Sequence, residues 1–201
     1  MLLLFTTVSE EAKDSELLDK LISQTAAGDG DAFEKLYRLT KASVYGYAMS
    51  ILKHPQDAED VLHDCFVRLY HAAGGYASRG KPMAWILTIA KNLCYKRLND
   101  RSRSVQLDDD EWETAFETNE LMGREEIMTI RRLTELLSED ERSIVILHAV
   151  SLFKYREIGE FMDLPTSTVI SKYHRAINKL RRAYFEDENI KERKKKKKRK
   201  T

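Results

Sequence analysis

The chain has 201 residues, of which 33% are charged, with only eight glycines and three prolines. This composition predicts a mostly helical protein of one domain or two small ones. No apolar run reaches the ~20 residues of a membrane span, and the start Met1–Phe5 lacks the basic flank and long apolar core of a signal peptide. We therefore expect no membrane insertion.

The net charge of +1 conceals an uneven distribution along the chain. The segment Lys191–Thr201 holds nine basic residues and one acidic residue, and the rest of the chain holds 25 basic and 32 acidic residues. Basic residues concentrate in Arg79–Arg103 and Thr166–Ala183, whereas Gln106–Glu120 holds seven acidic residues and no basic one. An acidic body binds nucleic acid only through local basic surfaces. We interpret the acidic stretch as a linker between two domains, each with a basic face.

Four helices are predicted in the first domain from apolar residues at helical spacing. The first covers about residues 15–25, and Asp31 is expected to cap the second. The second ends near His54 because the residue before a proline is pushed out of the helical region. The third starts near Gln56 and carries an acidic row of Asp57, Asp60 and Asp64. The fourth covers about residues 82–101.

The second domain is predicted to begin near residue 124 with a helix that contains Ile127. Ser138 and Glu141 have the spacing of a capping box. A short helix over 155–162, a tight turn and a longer basic helix from Thr166 to about Phe185 then follow the plan of a helix-turn-helix, in which the small Gly159 permits close approach. The alternative is an ordinary helical hairpin with solvated charges, but the last helix carries five basic residues and no acidic one up to residue 183.

Three blocks in the chain are similar to conserved parts of one family. Asp57–Tyr70 resembles the core-polymerase-binding helix of bacterial sigma factors, Lys81–Leu93 resembles their promoter-melting helix, and Leu164–Ala176 resembles their −35 recognition helix. The blocks occur in the family's order and at its spacing. Over roughly residues 15–185, the chain resembles sigma factors of the extracytoplasmic-function (ECF) subfamily.

The resemblance implies an all-α fold with two small helical domains joined by an acidic linker. Residues 15–103 would form the region 2 domain, which binds core polymerase and the −10 element, and residues 104–123 the linker. Residues 124–186 would form the region 4 domain, whose helix-turn-helix binds the −35 element. Residues 187–201 are predicted to be a basic disordered tail.

The resemblance also implies three sets of site residues. The core-polymerase contacts would be Asp57, Asp60, His63 and Asp64, although the family commonly has an amide at the position of His63. The −10 contacts would be Ser78, Arg79, Lys81, Trp85, Asn92, Lys96 and Arg97. The −35 contacts would be Thr166, Ser167, Thr168, Ser171, Lys172 and Arg175. Ile170 stands where relatives often carry a basic residue.

The expected function is promoter recognition and transcription initiation, without enzymatic activity, cofactor or metal. Expected partners are bacterial core RNA polymerase, promoter DNA and an anti-sigma factor. Cys65 and Cys94 lie in apolar helical patterns, so we expect two reduced, buried thiols in a cytoplasmic protein.

Three alternatives belong to other classes of protein. A helix-turn-helix regulator that does not bind core polymerase would share the second domain but leave the first unexplained. A metal site would use His63, Cys65, His71 and Cys94, but His63 and Cys65 are two residues apart on a helix and point in different directions. A hydrolase would need a nucleophile elbow or an HExxH pattern, and the sequence has neither.

Overall fold

The computed structural model describes residues 15–78, 80–103 and 136–198. Within these ranges the secondary structure is helical, so the predicted all-α fold is confirmed. A short 3₁₀ turn, Ala73–Gly75, follows the third of the seven α-helices whose bounds lie within the described ranges. The helices are α1 (Ser15–Ala26), α2 (Gly30–Leu52), α3 (Pro55–Ala72), α4 (Pro82–Arg103), α5 (Glu139–Ala149), α6 (Tyr155–Met162) and α7 (Thr166–Lys198).

Local chemistry sets the boundaries of α2 and α3. Asp29, rather than the predicted Asp31, caps α2: its side chain accepts a hydrogen bond from the Ala32 amide at 3.0 Å. Asp31 instead lies in the first turn of α2, where its negative charge interacts favourably with the positive end of the helix dipole. Lys53 ends α2 in a left-handed conformation, with φ of 54°. Pro55 then starts α3, a position where a missing amide hydrogen costs nothing.

Helices α1–α4 form the N-terminal unit, with α2 at its centre. Residues 43–52 of α2 are buried on every side of the helix. This burial follows from the packing, because α2 contacts α1, α3 and α4 within the unit and also α5 beyond it. The four-helix arrangement predicted from the apolar spacing is therefore present, with α2 as the most enclosed element.

Helices α5–α7 form the C-terminal unit, which contains the predicted helix-turn-helix. The capping box is confirmed: Ser138 Oγ accepts from the Glu141 amide at 3.4 Å, and Glu141 Oε2 accepts from the Ser138 amide at 3.0 Å. The turn between α6 and α7 closes when the Leu164 amide donates to the Gly159 carbonyl at 2.9 Å. Val169 and Ala176 of α7 are fully buried, as their spacing predicted.

The last helix is longer than the sequence pattern suggested. Apolar spacing ends near Phe185, but α7 continues to Lys198, into the predicted tail. Lysine, arginine and glutamate are good helix formers, and no glycine or proline occurs between Thr166 and Thr201. The predicted linker at 104–123 and the predicted helix around Ile127 lie outside the described residues.

The two units pack directly against each other through α2 and α5. A Cβ added to Gly46 on α2 would lie 3.3 Å from Ile146 Cγ2, so the two helices cross closely at this glycine. One turn further along, Ser50 Oγ and Ser143 Oγ are 3.0 Å apart and share a hydrogen bond. In the described part of the chain, no helix is both long and apolar enough to span a membrane.

Candidate polymerase and nucleic-acid interfaces

The predicted acidic row on α3 divides into a paired half and an exposed half. Asp57 is only 6% exposed, and Arg97 Nε of α4 donates to its Oδ1 at 2.7 Å. The other arm of Arg97 donates to Asp60. Burial acts to lower the pKa of Arg97, but hydrogen bonds and charge from both aspartates outweigh it and raise the pKa, so this side chain stays charged. Residues predicted for two separate surfaces thus form one ion-pair cluster that ties α3 to α4.

The exposed half of α3 combines charge with apolar surface. His63 and Asp64 are exposed, as a docking role requires. Val67 and Tyr70 are 43% and 45% exposed and extend the same helix surface by one to two turns. We did not predict these two residues as site residues. Their signal in the sequence is that they are apolar or aromatic yet fall outside the buried stripe of α3, and large exposed apolar residues often mark binding surfaces.

A carboxylate on α1 holds the loop that precedes α4. Tyr76 Oη donates to Asp19 Oδ1 at 2.5 Å, and Ser78 Oγ donates to Asp19 Oδ2 at 2.6 Å. Burial raises the pKa of Tyr76 above its ordinary range, and the Asp19 hydrogen bond adds to that effect. The Trp85 ring lies 4.6 Å from the Tyr76 ring, centroid to centroid, and is half-buried. Asp19 was not predicted as a site residue, yet it positions the loop.

We give the name −10 face to Lys81, Asn92 and Lys96, which are predicted −10 contacts, together with Lys91, the neighbour of Asn92 on α4. Asn92 and Lys96 are exposed and one turn apart, so they share a side of α4. Lys81 and Lys91 instead engage α6. Lys81 Nζ lies 2.6 Å from Glu160 Oε2, and Lys91 Nζ donates to the Phe161 carbonyl at 3.1 Å. Arg79 lies outside the described residues.

A cleft of about 840 Å³ separates the −10 face from the C-terminal unit. Lys81, Lys91 and Asn92 line one wall of it, and Phe153, Glu157 and Phe161 line the other. The wall from the N-terminal unit is therefore basic, and the wall from the C-terminal unit combines apolar and acidic side chains with Lys154. A ligand that binds Lys81, Lys91 or Asn92 inside this cleft therefore also meets α6.

The predicted −35 residues mostly lie on the outer surface at the start of α7. Thr166, Ser167, Ser171 and Arg175 are exposed, whereas Thr168 is half-buried. Lys172 is partly covered, because its Nζ lies 2.8 Å from Asp140 Oδ2 of α5. Hydroxyl groups and a helix N-terminus suit phosphates, and an exposed arginine can pair with the guanine edge in the major groove.

The residues of the metal alternative do not come together as a ligand set. Cys65 and Cys94 are free and buried, and burial raises the pKa of each thiol to about 12. His63 and His71 are exposed instead. Across the described residues, no group of three or more histidine, cysteine or carboxylate side chains could hold a metal ion.

Comparison with known protein families gives two matches. Residues 36–104 match sigma-70 region 2, and residues 127–180 match sigma-70 region 4. The first match covers most of the N-terminal unit, and the second covers the helix-turn-helix. Both matched regions belong to one family of proteins. The chain belongs to the sigma-70 family of RNA polymerase sigma factors, in its ECF group.

Individual relatives agree with this assignment. The chain is 40% identical over 90 residues to the ECF sigma factor SigK of Mycobacterium sp. (strain KMS), a match to 44% of this chain and 45% of SigK. The chain thus spans about half the length of that relative. It is 25% identical over 179 residues to the ECF sigma factor SigW of Bacillus subtilis (strain 168), covering 83% of this chain and 96% of SigW.

Two solved structures share the fold. CnrH in complex with the cytosolic domain of CnrY has a TM-score of 0.57 at 22% identity, covering 85% of this chain and 99% of that one. The sigma factor RpoE of Bartonella quintana, in complex with the anti-sigma factor NepR, has a TM-score of 0.56 at 21% identity, covering 75% and 94%. At these identities, the likeness concerns the fold.

Proposed function

We propose that this chain is a dissociable specificity subunit of bacterial RNA polymerase that directs initiation at promoters with −10 and −35 elements. The observation that carries the proposal is the presence of sigma-70 regions 2 and 4, in that order, on one chain. In this proposal, residues 15–103 form the core- and −10-binding domain, 104–123 the linker, 124–186 the −35-binding domain and 187–201 a basic tail.

The proposed polymerase contact is the exposed half of α3. His63 and Asp64 supply the polar part, and Val67 and Tyr70 supply an apolar part that a charged row alone would lack. Asp57 and Asp60 act indirectly, because their pairing with Arg97 fixes α3 against α4. A charged surface directs the encounter, and apolar contact area supplies affinity once water is excluded.

A pull-down with bacterial core RNA polymerase tests this docking surface. The wild type should bind core, and the double variant His63→Ala/Asp64→Ala should bind more weakly. Glu34→Ala is a control, because it removes an exposed charge from α2 and leaves the side chains of α3 in place. A folded wild type that fails to bind core would favour the alternative, a helix-turn-helix regulator that acts without polymerase.

The proposed DNA contacts divide between the two units. On the −10 face, Lys81, Asn92 and Lys96 are placed to hold phosphates and an unstacked base, with Ser78 in the loop. At the start of α7, Thr166, Ser167 and Thr168 suit phosphates, and Ser171, Lys172 and Arg175 suit base edges. Lys172 must leave Asp140 to do so, which costs little for an ion pair at the surface.

Arg175→Ala should weaken binding to the −35 element by about 1–3 kcal/mol if the guanidinium pairs with a base. The measurement is a titration of core-bound protein on promoter fragments with intact and altered −35 sequences. Arg182→Ala is the control, because Arg182 is also exposed but lies two turns further from the start of α7. Equal preference for both fragments in wild type and Arg175→Ala would remove Arg175 from base readout.

The proposed partners and setting follow from this role. An anti-sigma factor is proposed as the antagonist, because the structural neighbour RpoE is bound to the anti-sigma factor NepR and the neighbour CnrH is bound to the cytosolic domain of CnrY. We propose that the chain acts by binding alone, as a non-enzymatic cytoplasmic protein without cofactor or metal. Purified chain should therefore support initiation by core polymerase on promoter DNA with nucleotides and Mg²⁺ as the only further additions.

A further inference from the structure

The loop between the 3₁₀ turn and α4 has a defined conformation at both of its ends. At its start, the Tyr76 amide donates to the Ala73 carbonyl at 3.1 Å, and the Tyr76 ring packs on the Trp85 ring of α4. At its end, Gly80 has a φ of 69°, in the left-handed region that favours glycine. The chain therefore enters and leaves this loop in fixed directions.

The carboxylate of Asp19 on α1 holds the middle of the same loop. Tyr76 Oη and Ser78 Oγ donate to its two oxygens at 2.5 Å and 2.6 Å. Each hydroxyl supplies the proton, because an ionised carboxylate can only accept. Burial raises the pKa of Tyr76, and the hydrogen bond to Asp19 adds to that effect, so the phenol keeps its proton. Both acceptor atoms of Asp19 are thus used to hold one short loop.

This arrangement restricts what Ser78 can bind. A serine hydroxyl has one proton to donate and two lone pairs that accept. The proton of Ser78 is directed to Asp19, so its exposed oxygen offers acceptor lone pairs to a ligand. The negative charge of Asp19 behind this oxygen repels a phosphate group. The ligand that fits is therefore a hydrogen-bond donor.

The exposed edges of nucleic-acid bases differ in this property. Adenine and cytosine carry an exocyclic amine, which donates, at the position where guanine and thymine carry a carbonyl, which accepts. An acceptor on the loop therefore distinguishes the two amine-bearing bases from the two carbonyl-bearing bases. A loop that is already held in place does so without the entropic cost of ordering it on binding.

We propose that Asp19 is a positioning residue for promoter recognition: its carboxylate holds the loop before α4 and orients the Ser78 hydroxyl, so that the loop favours an unstacked base with an exocyclic amine. The inference rests on the proposed function. Asp19 acts through Ser78, which makes the contact with the base.

Base preference in the −10 element measures this role. Transcripts made by core polymerase and the wild type on fragmented genomic DNA of the source bacterium identify a promoter, whose −10 bases are then replaced one at a time. At the position where Ser78→Ala alters the base preference, the wild type should favour adenine or cytosine over guanine and thymine by roughly three- to tenfold. Asp19→Ala should lose this preference and still bind core polymerase.

An isosteric variant gives a sharper result. In Asp19→Asn, the side-chain amide has one oxygen to accept a proton and one NH₂ group to donate. The half-buried Tyr76 hydroxyl depends on the oxygen, whereas the exposed Ser78 hydroxyl can accept from the NH₂ group. The proton of Ser78 is then available to a ligand, so the preference should move toward guanine or thymine. Loss of packing alone would not reverse it.

Two further variants are controls. Ser23→Ala removes a hydroxyl that donates to the backbone carbonyl of Asp19 at 3.0 Å and leaves the carboxylate unchanged, so it should keep the wild-type preference. Asp19→Ala/Ser78→Ala should show the same preference as Ser78→Ala alone, because Asp19 acts through Ser78.

Two outcomes would overturn the proposal: no −10 position at which Ser78→Ala alters the base preference, or the same preference in the wild type and Asp19→Ala. Failure of the proposed function looks different. In that case the wild type itself would neither bind core polymerase nor start transcription.

Discussion

Gly159 has a steric role in the helix-turn-helix. A Cβ at this position would lie 2.7 Å from the Leu164 carbonyl oxygen, closer than real Cβ atoms approach a backbone oxygen. Any side chain at this position would therefore collide with the turn between α6 and α7. The sequence predicted close approach at Gly159, and the structure identifies the atom it approaches.

Gly159→Ala should destabilise the C-terminal unit by about 1–3 kcal/mol, because the turn must shift to admit one methyl group. Urea unfolding followed by circular dichroism would measure the change. Gly74→Ala is the matched control, since nothing lies within 4 Å of a Cβ there. A loss of stability as large in Gly74→Ala would refute the steric explanation.

Arg97 makes contacts that the sequence did not predict. Its position in a basic stretch suggested a phosphate contact, but its partners Asp57 and Asp60 lie 40 and 37 residues earlier. Charge spacing along one helix cannot reveal a pair that forms only when α3 packs on α4. The acidic row was visible in the sequence, and its division into paired and exposed halves was not.

Arg97→Ala should cost about 1–3 kcal/mol of unfolding free energy, because it leaves the Asp57 carboxylate buried without this donor. Lys96→Ala removes an exposed neighbouring charge and should change stability by less than about 0.5 kcal/mol. Thermal or urea unfolding of both variants gives the comparison. If Arg97→Ala is as stable as Lys96→Ala, the ion-pair cluster has no structural role.

The capping box at the start of α5 also contacts a residue that is distant in the sequence. The capping box of Ser138 and Glu141 was predictable, since both residues lie within one turn. Lys179 Nζ of α7 lies 2.7 Å from Glu141 Oε2 and joins the cap to α7, and its separation of 38 residues hid this contact from sequence patterns. One carboxylate thus starts α5 and ties it to α7.

The stability of this cap should depend on pH. Burial acts to raise the pKa of Glu141, but hydrogen bonds from Lys179 and Ser138 outweigh it, and the pKa is lowered from its ordinary value of 4.5. A depressed folded-state pKa means that the stabilisation is fully present above the unfolded value and is lost as the pH falls through the folded value.

Glu141→Gln should therefore be less stable than wild type at neutral pH, and the difference should shrink below about pH 4.5. Urea midpoints measured from neutral to acidic pH, with both proteins at equal ionic strength, test this dependence. A difference that stays constant across that range would show that ionised Glu141 is not responsible.

The two-unit organisation of the whole molecule was predictable from charge, and the packing between the units was not. The change from basic to acidic to basic residues marks two units, but no linear pattern reports which surfaces meet. One signal was present in α2, where residues 44–52 read as nearly continuous apolar or small side chains. A helix that is buried all round needs a partner on each side, and the fourth side of α2 is covered by α5.

Gly46→Leu should separate the units while leaving the N-terminal unit folded, because a bulky side chain there collides with Ile146 rather than with α1, α3 or α4. Small-angle X-ray scattering should show a larger radius of gyration for this variant. Gly46→Ala is the control: the single methyl group needs only a small shift of a flexible side chain and improves helix propensity. An unchanged radius of gyration for Gly46→Leu would mean that the contact between α2 and α5 accommodates the leucine side chain.

The contact between α2 and α5 cannot form until the ribosome has synthesised α5. Ser50 and Ser143 are 93 residues apart. At about 5–20 residues per second, a ribosome needs roughly 5–20 s to deliver the second after the first. During that interval the nascent N-terminal half carries an uncovered surface with Gly46 and Tyr47 at its centre. A chaperone, or polymerase itself, can meet the growing chain before its own C-terminal half exists.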